Sequence, residues 1–103
     1  MFFLMIARDK PDMLDTRAQT RAAHKAYLRL PGLPGRCVMG APLAEDDEST
    51  MKGTFLVIEA PSRAAAQDFA DGDPYAKAGI FDSCEIITLH TAFDAGQILP
   101  LKP

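Results

Sequence analysis

The sequence predicts an α+β domain whose strands and helices follow the order β-α-β-β-α-β. Four short apolar runs have the alternating or continuous hydrophobic pattern of strands, and Pro or Gly residues interrupt the chain between them. Two stretches rich in Ala, Arg, Gln and Lys have helical composition and lie after the first and the third run. This order predicts one four-stranded antiparallel sheet with both helices on one face.

The first strand, predicted at residues 2–8, is apolar in both alternating sets of side chains, so we expect both of its faces to be covered. A helix follows that begins at Asp12 or Asp15 and runs to about Leu30, where a run of prolines and glycines ends it. Its side toward the sheet is predicted to be a narrow stripe of small apolar residues, suited to close packing. The members of this stripe are Leu14, Ala18, Ala22 and Ala26.

The second and third strands are predicted at residues 36–41 and 53–60. The acidic connection between them, residues 44–50, is expected to be a mobile hairpin loop. A second helix, residues 63–70, follows Ser62, whose hydroxyl is predicted to cap it. The residues predicted on the inward side of this helix are Ala65, Ala66, Phe69 and Ala70.

A tight joint follows the second helix. Asp73 is predicted to cap a short helical turn that starts at Pro74, since Asp is a favoured N-cap and Pro a favoured first residue. Gly72 is expected to end the preceding helix in a left-handed conformation. The turn runs to Ala78 and stops at Gly79, so the joint holds an acid between two helical pieces.

The last strand is predicted at residues 83–93, which makes 1–93 the domain and 94–103 a C-terminal tail. The two cysteines, Cys37 and Cys84, both fall inside predicted strands. We therefore expect buried thiols in a reducing, cytoplasmic compartment rather than a disulfide framework.

The chain length, net charge and residue composition exclude several classes of function. A chain of 103 residues is one domain by size. A net charge of −3 gives no attraction to nucleic acid, and no apolar run approaches the ~20 residues of a membrane helix, so we expect neither partner. The sequence also lacks the Cys or His spacing of a metal site, so no metal ligand is predicted.

The surplus of apolar strand residues predicts a partner. In this ferredoxin-like arrangement the helices cover one face of the sheet, yet the first and third strands are apolar on both faces. A second copy of the same sheet would bury that surplus, so we predict a homodimer with its sheets face to face, or a higher oligomer built from it. A bound ligand or the C-terminal tail covering the second face is the alternative.

His24 and Asp73 are the candidates for acid–base chemistry, because an imidazole held by a carboxylate is a usual general base. Arg17 and Arg21 share a flank of the first helix with His24 and can hold a substrate carboxylate by forked hydrogen bonds. Tyr75 can donate a proton or fill the gap between helix and sheet. The structural alternatives stay open: a cap only, an exposed histidine, and arginines paired with a nearby acid.

These residues together resemble the YciI-like family. The resemblance covers most of the chain, and its motifs are specific in their joint order and spacing. They are an Arg-x-x-x-Arg-x-x-His pattern from Arg17 to His24, an acidic break after the first strand at Ile6–Asp9, Gly53-Thr54 at the third strand, and Asp73-Pro74-Tyr75 followed by Ala78-Gly79-Ile80-Phe81.

The resemblance implies a dimeric α+β barrel and a cofactor-free enzyme of the lyase or isomerase type, with His24 and Asp73 in its active site. It implies relatives that include dehydrochlorinases. From the residues themselves we expect a small, anionic organic substrate, with Arg17 or Arg21 holding its charge and Tyr75 at the pocket wall. One departure from the family is Gly40-Ala41-Pro42, where relatives commonly have Ala-Gly-Pro. The alternative is a non-catalytic module that binds a small molecule or serves only to dimerise.

Overall fold

A computed structural model describes residues 1–97 of the chain. The elements are β1 (Phe2–Asp9), α1 (Leu14–Leu28), β2 (Arg36–Ala44), β3 (Met51–Glu59), α2 (Arg63–Asp71), α3 (Pro74–Lys77) and β4 (Phe81–Thr88). The strands form one antiparallel sheet in the order β2-β3-β1-β4. The predicted ferredoxin-like fold is confirmed, and the short helix predicted at the joint is α3. Within residues 1–97, no helix is long and apolar enough to cross a membrane.

The helices cover one face of the sheet. Along β1 every second side chain, Phe3, Met5 and Ala7, is buried on this face. Strands β3 and β4 place Ile58 and Ile86 beside them. The core is completed from α2 by Ala66, Phe69 and Ala70, which belong to the predicted inward side of that helix.

Helix α1 turns a different side to the sheet from the one predicted. Its buried residues are Arg17 and His24, and Tyr27 and Leu28 pack against the core. The predicted packing stripe was wrong, because all of its residues are exposed and Leu14 retains 53% of its accessible surface. The polar flank is buried instead because the Arg17 guanidinium and the His24 imidazole both have hydrogen-bond partners, Asp9 and Asp73, which remove much of the cost of taking polar groups out of water.

The start of α1 also differs from the prediction. Met13 occupies the N-cap position and makes no side-chain cap bond. Asp12 lies in the preceding turn at a φ of 61°, and Asp15 lies in the first turn, where a carboxylate favours the helix dipole without capping it. Neither acid caps the helix.

The backbone conformations of the two glycines at the joint differ from the prediction. Gly72 has a φ of −79°, so it does not form a left-handed cap. Gly79 does adopt a left-handed conformation, at a φ of 71°, directly after α3 ends. The caps themselves are confirmed: Ser62 accepts the backbone N–H of Ala65, and Asp73 caps α3.

The strands of the β2–β3 hairpin are longer than predicted. Strand β2 continues to Ala44, with Pro42 accommodated because this is an edge strand. In the loop, the Asp47 carboxylate accepts hydrogen bonds from the Thr50 hydroxyl and from the backbone N–H groups of Thr50 and Ser49. These bonds lower the pKa of Asp47 to about 2. These hydrogen bonds are local to residues 47–50, and the mobility of the loop stays a prediction.

Strand β4 begins earlier and ends earlier than predicted. It ends at Thr88, which pairs with Phe3 near the start of β1. His90 therefore lies in the turn beyond the strand, where its Nδ1 accepts the backbone N–H of Ala92. The described residues end at 97, so most of the predicted tail, residues 94–103, lies outside them.

The cysteines lie in strands as predicted, but the expected burial was wrong. Cys84 is exposed because β4 is an edge strand, and Cys37 is half-buried. Both thiols are free, and desolvation raises the pKa of each.

The second face of the sheet carries the apolar surplus that the sequence showed. Phe2, Leu4 and Ile6 alternate with the buried residues of β1 and are only partly covered. Leu4 lies between Val57 of β3 and Ile87 of β4. The helices do not contribute to this face, which we call the open face.

Candidate active site

His24 and Asp73 meet in the buried interior between α1 and α3. The His24 Nδ1 atom lies 2.8 Å from Asp73 Oδ1 and 2.9 Å from Oδ2, although the two residues are 49 positions apart. The exposed fractions are 8% for His24 and 1% for Asp73. Because an ionised carboxylate only accepts hydrogen bonds, Nδ1 is the donor to it, and in the neutral imidazole Nε2 then carries the lone pair. The arrangement can therefore accept a proton at Nε2.

Local structure explains why these two groups meet. Asp73 is fixed by its cap, since its Oδ1 accepts the backbone N–H of Tyr75 at 2.9 Å. Helix α1 is held against the joint by Tyr27, whose hydroxyl donates to the carbonyl of Phe69 at 2.7 Å. Gly72 allows this approach, because a Cβ atom there would lie 2.5 Å from the Tyr27 hydroxyl oxygen. His24 lies one turn before Tyr27 and is thereby brought to the carboxylate.

Tyr75 lies flat on the imidazole. The ring centroids of Tyr75 and His24 are 3.9 Å apart and the ring planes differ by 11°. Burial raises the pKa of Tyr75, and the Arg17 and Arg21 cations oppose this rise. The phenol therefore remains protonated at neutral pH and can donate a hydrogen bond.

Arg17 is engaged by other protein groups. Its Nε donates to Asp9 Oδ2 at 2.9 Å, and one terminal nitrogen donates to Asp9 Oδ1 at 3.2 Å and to Thr54 Oγ1 at 2.6 Å. Its guanidinium carbon also lies 4.6 Å from the Tyr75 ring centroid. Among the alternatives left open above, pairing with a nearby acid describes Arg17 best.

Asp9 was not among the predicted site residues. The available signal was its position: it continues the set of β1 side chains that face the helices. Thr54 lies directly opposite Ala7 on that same face of β3. A charged or hydroxyl side chain on an otherwise apolar, covered face requires a partner, and Arg17 is that partner for both.

A cavity of about 160 Å³ opens beside the imidazole, between α1 and strands β2 and β3. Arg21 and Lys25 line it, and neither side chain makes a hydrogen bond or ion pair with residues 1–97. Gly40, Ala41 and Pro42 also line it. The remaining lining is mainly apolar and includes Leu28, Met51 and Leu56.

A larger groove of about 690 Å³ runs along residues 28–37 and 59–61. It is open to solvent, and neither His24 nor Asp73 lines it. We therefore place the candidate site at the smaller cavity, which the His24 imidazole lines together with Arg21 and Lys25. Asp73 contacts this imidazole without lining the cavity itself.

The comparisons with known proteins agree with the resemblance in sequence. Protein YciI from Escherichia coli is 33% identical over 91 residues, which are 84% of this chain and 93% of that protein. An uncharacterised protein from Haemophilus influenzae is 30% identical over 86 residues, covering 79% of this chain and 88% of that protein.

A solved structure is also similar. It is 5-chloro-2-hydroxyhydroquinone dehydrochlorinase from Burkholderia phenoliruptrix in complex with 2,5-dihydroxybenzoquinone. It matches with a TM-score of 0.65 and 33% sequence identity, over 87% of this chain and 94% of that one. The family model of the YCII-related domain matches residues 1–90. This chain therefore belongs to the YCII-related domain family.

Proposed function

We propose that the protein is an enzyme of the lyase or isomerase type in which His24 removes a proton from a small, anionic organic substrate. The observation that carries this proposal is the buried contact between His24 and Asp73 at the wall of a cavity. Its membership of a family with a dehydrochlorinase structural relative supports a catalytic role.

In the proposed reaction the substrate proton moves to Nε2 of His24, and the electron pair of the broken bond stays on the substrate. In a lyase that pair expels a leaving group from the adjacent atom, and in an isomerase the proton returns at another position. Asp73 stabilises the imidazolium that forms and holds the ring in the reactive tautomer. An acid–base pair of this type contributes about 10²–10⁴-fold, which suits a substrate activated by a carbonyl or ring.

The dimensions and charge of the cavity define the substrate class further. A volume of about 160 Å³ suits one six-membered ring, since a cavity of ~150 Å³ accommodates benzene. The apolar lining favours a ring. Arg21 and Lys25, whose side chains make no ion pair with residues 1–97, favour a negative charge on it. The single-ring ligand of the structural relative is consistent with this class.

Solvent exchange tests the proposed function without knowledge of the full reaction. We expect the protein in D₂O to exchange a carbon-bound proton of at least one member of a panel of hydroxylated quinones, hydroxybenzoates and small keto acids, measured by ¹H NMR. The Asp73→Asn variant should exchange the same compound more slowly, because the imidazolium loses its negative partner. Compounds that raise the melting temperature of the wild-type protein without exchange or turnover would instead indicate a binding module.

We also propose that the open face packs against a second copy of the chain. Its partly covered apolar residues lie at the centre of the sheet, where a second sheet can bury them. Sedimentation is expected to give at least twice the chain mass of 11.2 kDa. Leu4→Lys should shift the protein to monomers because it places a charge in that interface, whereas Leu14→Lys on the exposed side of α1 should not. A wild-type monomer at all concentrations would contradict this proposal.

A further inference from the structure

We propose that Arg17 is a positioning residue: Asp9 and Thr54 hold its guanidinium so that Tyr75 stays stacked on His24. Under this assignment Arg21, and not Arg17, holds the charge of the substrate. The consequence for catalysis rests on the proposed function of His24, whereas the stacking itself can be measured without any substrate.

The first argument is burial. Arg17 retains 3% of its accessible surface, and a buried cation is costly unless it is paired and hydrogen-bonded. Asp9 supplies the pairing through two contacts, and Thr54 accepts a further bond at 2.6 Å. Both partners come from the sheet, so the guanidinium is held by strands β1 and β3.

The second argument is the order of the contacts. The guanidinium of Arg17 lies against the Tyr75 ring, and the Tyr75 ring lies against the imidazole of His24. Arg17 and His24 are seven residues apart on α1, so their backbones are separated by about 10 Å along the helix axis. Tyr75 comes from α3 and bridges the side chains of these two positions. The phenol thus contacts the guanidinium and the imidazole together.

The stacked Tyr75 ring restrains a rotation of the His24 imidazole that the Asp73 carboxylate alone leaves possible. A hydrogen bond at Nδ1 holds one edge of the His24 ring but leaves rotation about that bond weakly restrained. A parallel ring at 3.9 Å restrains the plane of the imidazole as well. Together, Asp73 and Tyr75 fix the direction in which Nε2 points, and proton transfer depends on that direction.

The contrast with Arg21 completes the assignment. Arg21 lies one turn further along α1, is exposed at the cavity, and makes no side-chain hydrogen bond or ion pair with residues 1–97. Its donors are available to a ligand, whereas those of Arg17 that bind Asp9 and Thr54 are occupied. The two arginines therefore have separable effects on orientation and on affinity.

The Arg17→Lys variant tests the proposal by NMR of the histidine ring protons. Lysine keeps the charge but lacks the planar fork that contacts Asp9, Thr54 and the Tyr75 face at once. The ring current of Tyr75 shifts the His24 protons in the wild-type protein, and we expect the variant to lose about half of this shift or more. The His90 protons, assigned with the help of a His90→Gln variant, should not move.

The Arg21→Gln variant is expected to weaken binding of a probe while leaving the stacking on His24 unchanged. The probe is 2,5-dihydroxybenzoquinone. We expect the Kd for this compound to rise about tenfold in the Arg21→Gln variant and to change less than about threefold in the Arg17→Lys variant. The His24 resonances of Arg21→Gln should match those of the wild-type protein. Once a substrate is known, Arg17→Lys should lower kcat with little change in KM.

Two controls keep the test decisive. Arg36→Lys alters an arginine–carboxylate pair with Glu59 that is exposed and distant from the cavity, and it should leave the His24 shifts unchanged. If Arg17→Lys does not fold, the double variant Asp9→Asn/Arg17→Gln removes both buried charges together and is expected to show the same loss of shift.

Unaltered His24 shifts in a folded Arg17 variant would overturn the proposal, because a purely stabilising arginine would lower only the melting temperature. A tenfold rise of the probe Kd in Arg17→Lys with the stacking intact would overturn it too. Failure of the proposed function is distinguishable, since an inactive protein still reports the stacking.

Discussion

Replacing His24 by Gln is expected to lower kcat/KM for the substrate found in the exchange panel by about 10²–10⁴-fold. Glutamine can donate a hydrogen bond to Asp73, so the buried carboxylate keeps a partner and the fold should persist. It cannot accept the substrate proton at neutral pH, so the base is lost. The measurement is the initial rate at several substrate concentrations, together with a melting curve that confirms folding.

His90→Gln is the matched control for this substitution. His90 is the second of two histidines, and it lies exposed in the turn after β4, away from the cavity lining. We expect wild-type rates from this variant. Full activity of His24→Gln, or an equal loss in both variants, would contradict the role assigned to His24.

Phe69→Ala is expected to lower the free energy of unfolding by about 3–5 kcal/mol. The Phe69 side chain retains 1% of its accessible surface, and its ring packs at 5.2 Å from that of Tyr27. Truncation removes this burial and leaves a cavity between α1, α2 and the sheet. Since domains of this size have total stabilities of about 5–15 kcal/mol, the variant should unfold at a much lower urea concentration.

Leu14→Ala is the control for the stability measurement and also checks the orientation of α1. Leu14 is exposed in the structure, so its truncation should change the free energy of unfolding by less than about 0.5 kcal/mol. If Leu14→Ala cost as much as Phe69→Ala, the helix would present the side that the sequence predicted. In that case the positions of Arg17 and His24 described here would be wrong.

The sheet could be predicted because its signal is local. The apolar runs of the strands and the Pro and Gly residues between them lie within short stretches of sequence, and these were enough to place β1 and β3. The end of β4 could not be predicted in the same way. Apolar residues continue past Thr88, and the Leu89 N–H still donates to the Phe2 carbonyl, but the chain then turns at residues 90–93, where the Phe93 N–H donates to the His90 carbonyl.

The helix face was missed because the deciding interactions join distant parts of the chain. A rule based on small apolar residues favoured the side with Ala18 and Ala22, and nothing in the helix itself shows that Arg17 can be buried. Its burial depends on Asp9, which belongs to β1. The contact between His24 and Asp73 could, in contrast, be predicted from the sequence. A cap motif fixes the position of the aspartate, and the family resemblance pairs it with the histidine.

Asp73 serves two purposes through a single carboxyl group. It caps the start of α3 by accepting a hydrogen bond from the Tyr75 backbone N–H, and it holds the imidazole of His24. The secondary structure at this corner and the reactive tautomer therefore cannot be lost independently. A transient opening of this one-turn helix would release the histidine as well, so the rate of deuterium uptake at the Tyr75 amide reports how often the resting protein leaves its reactive geometry.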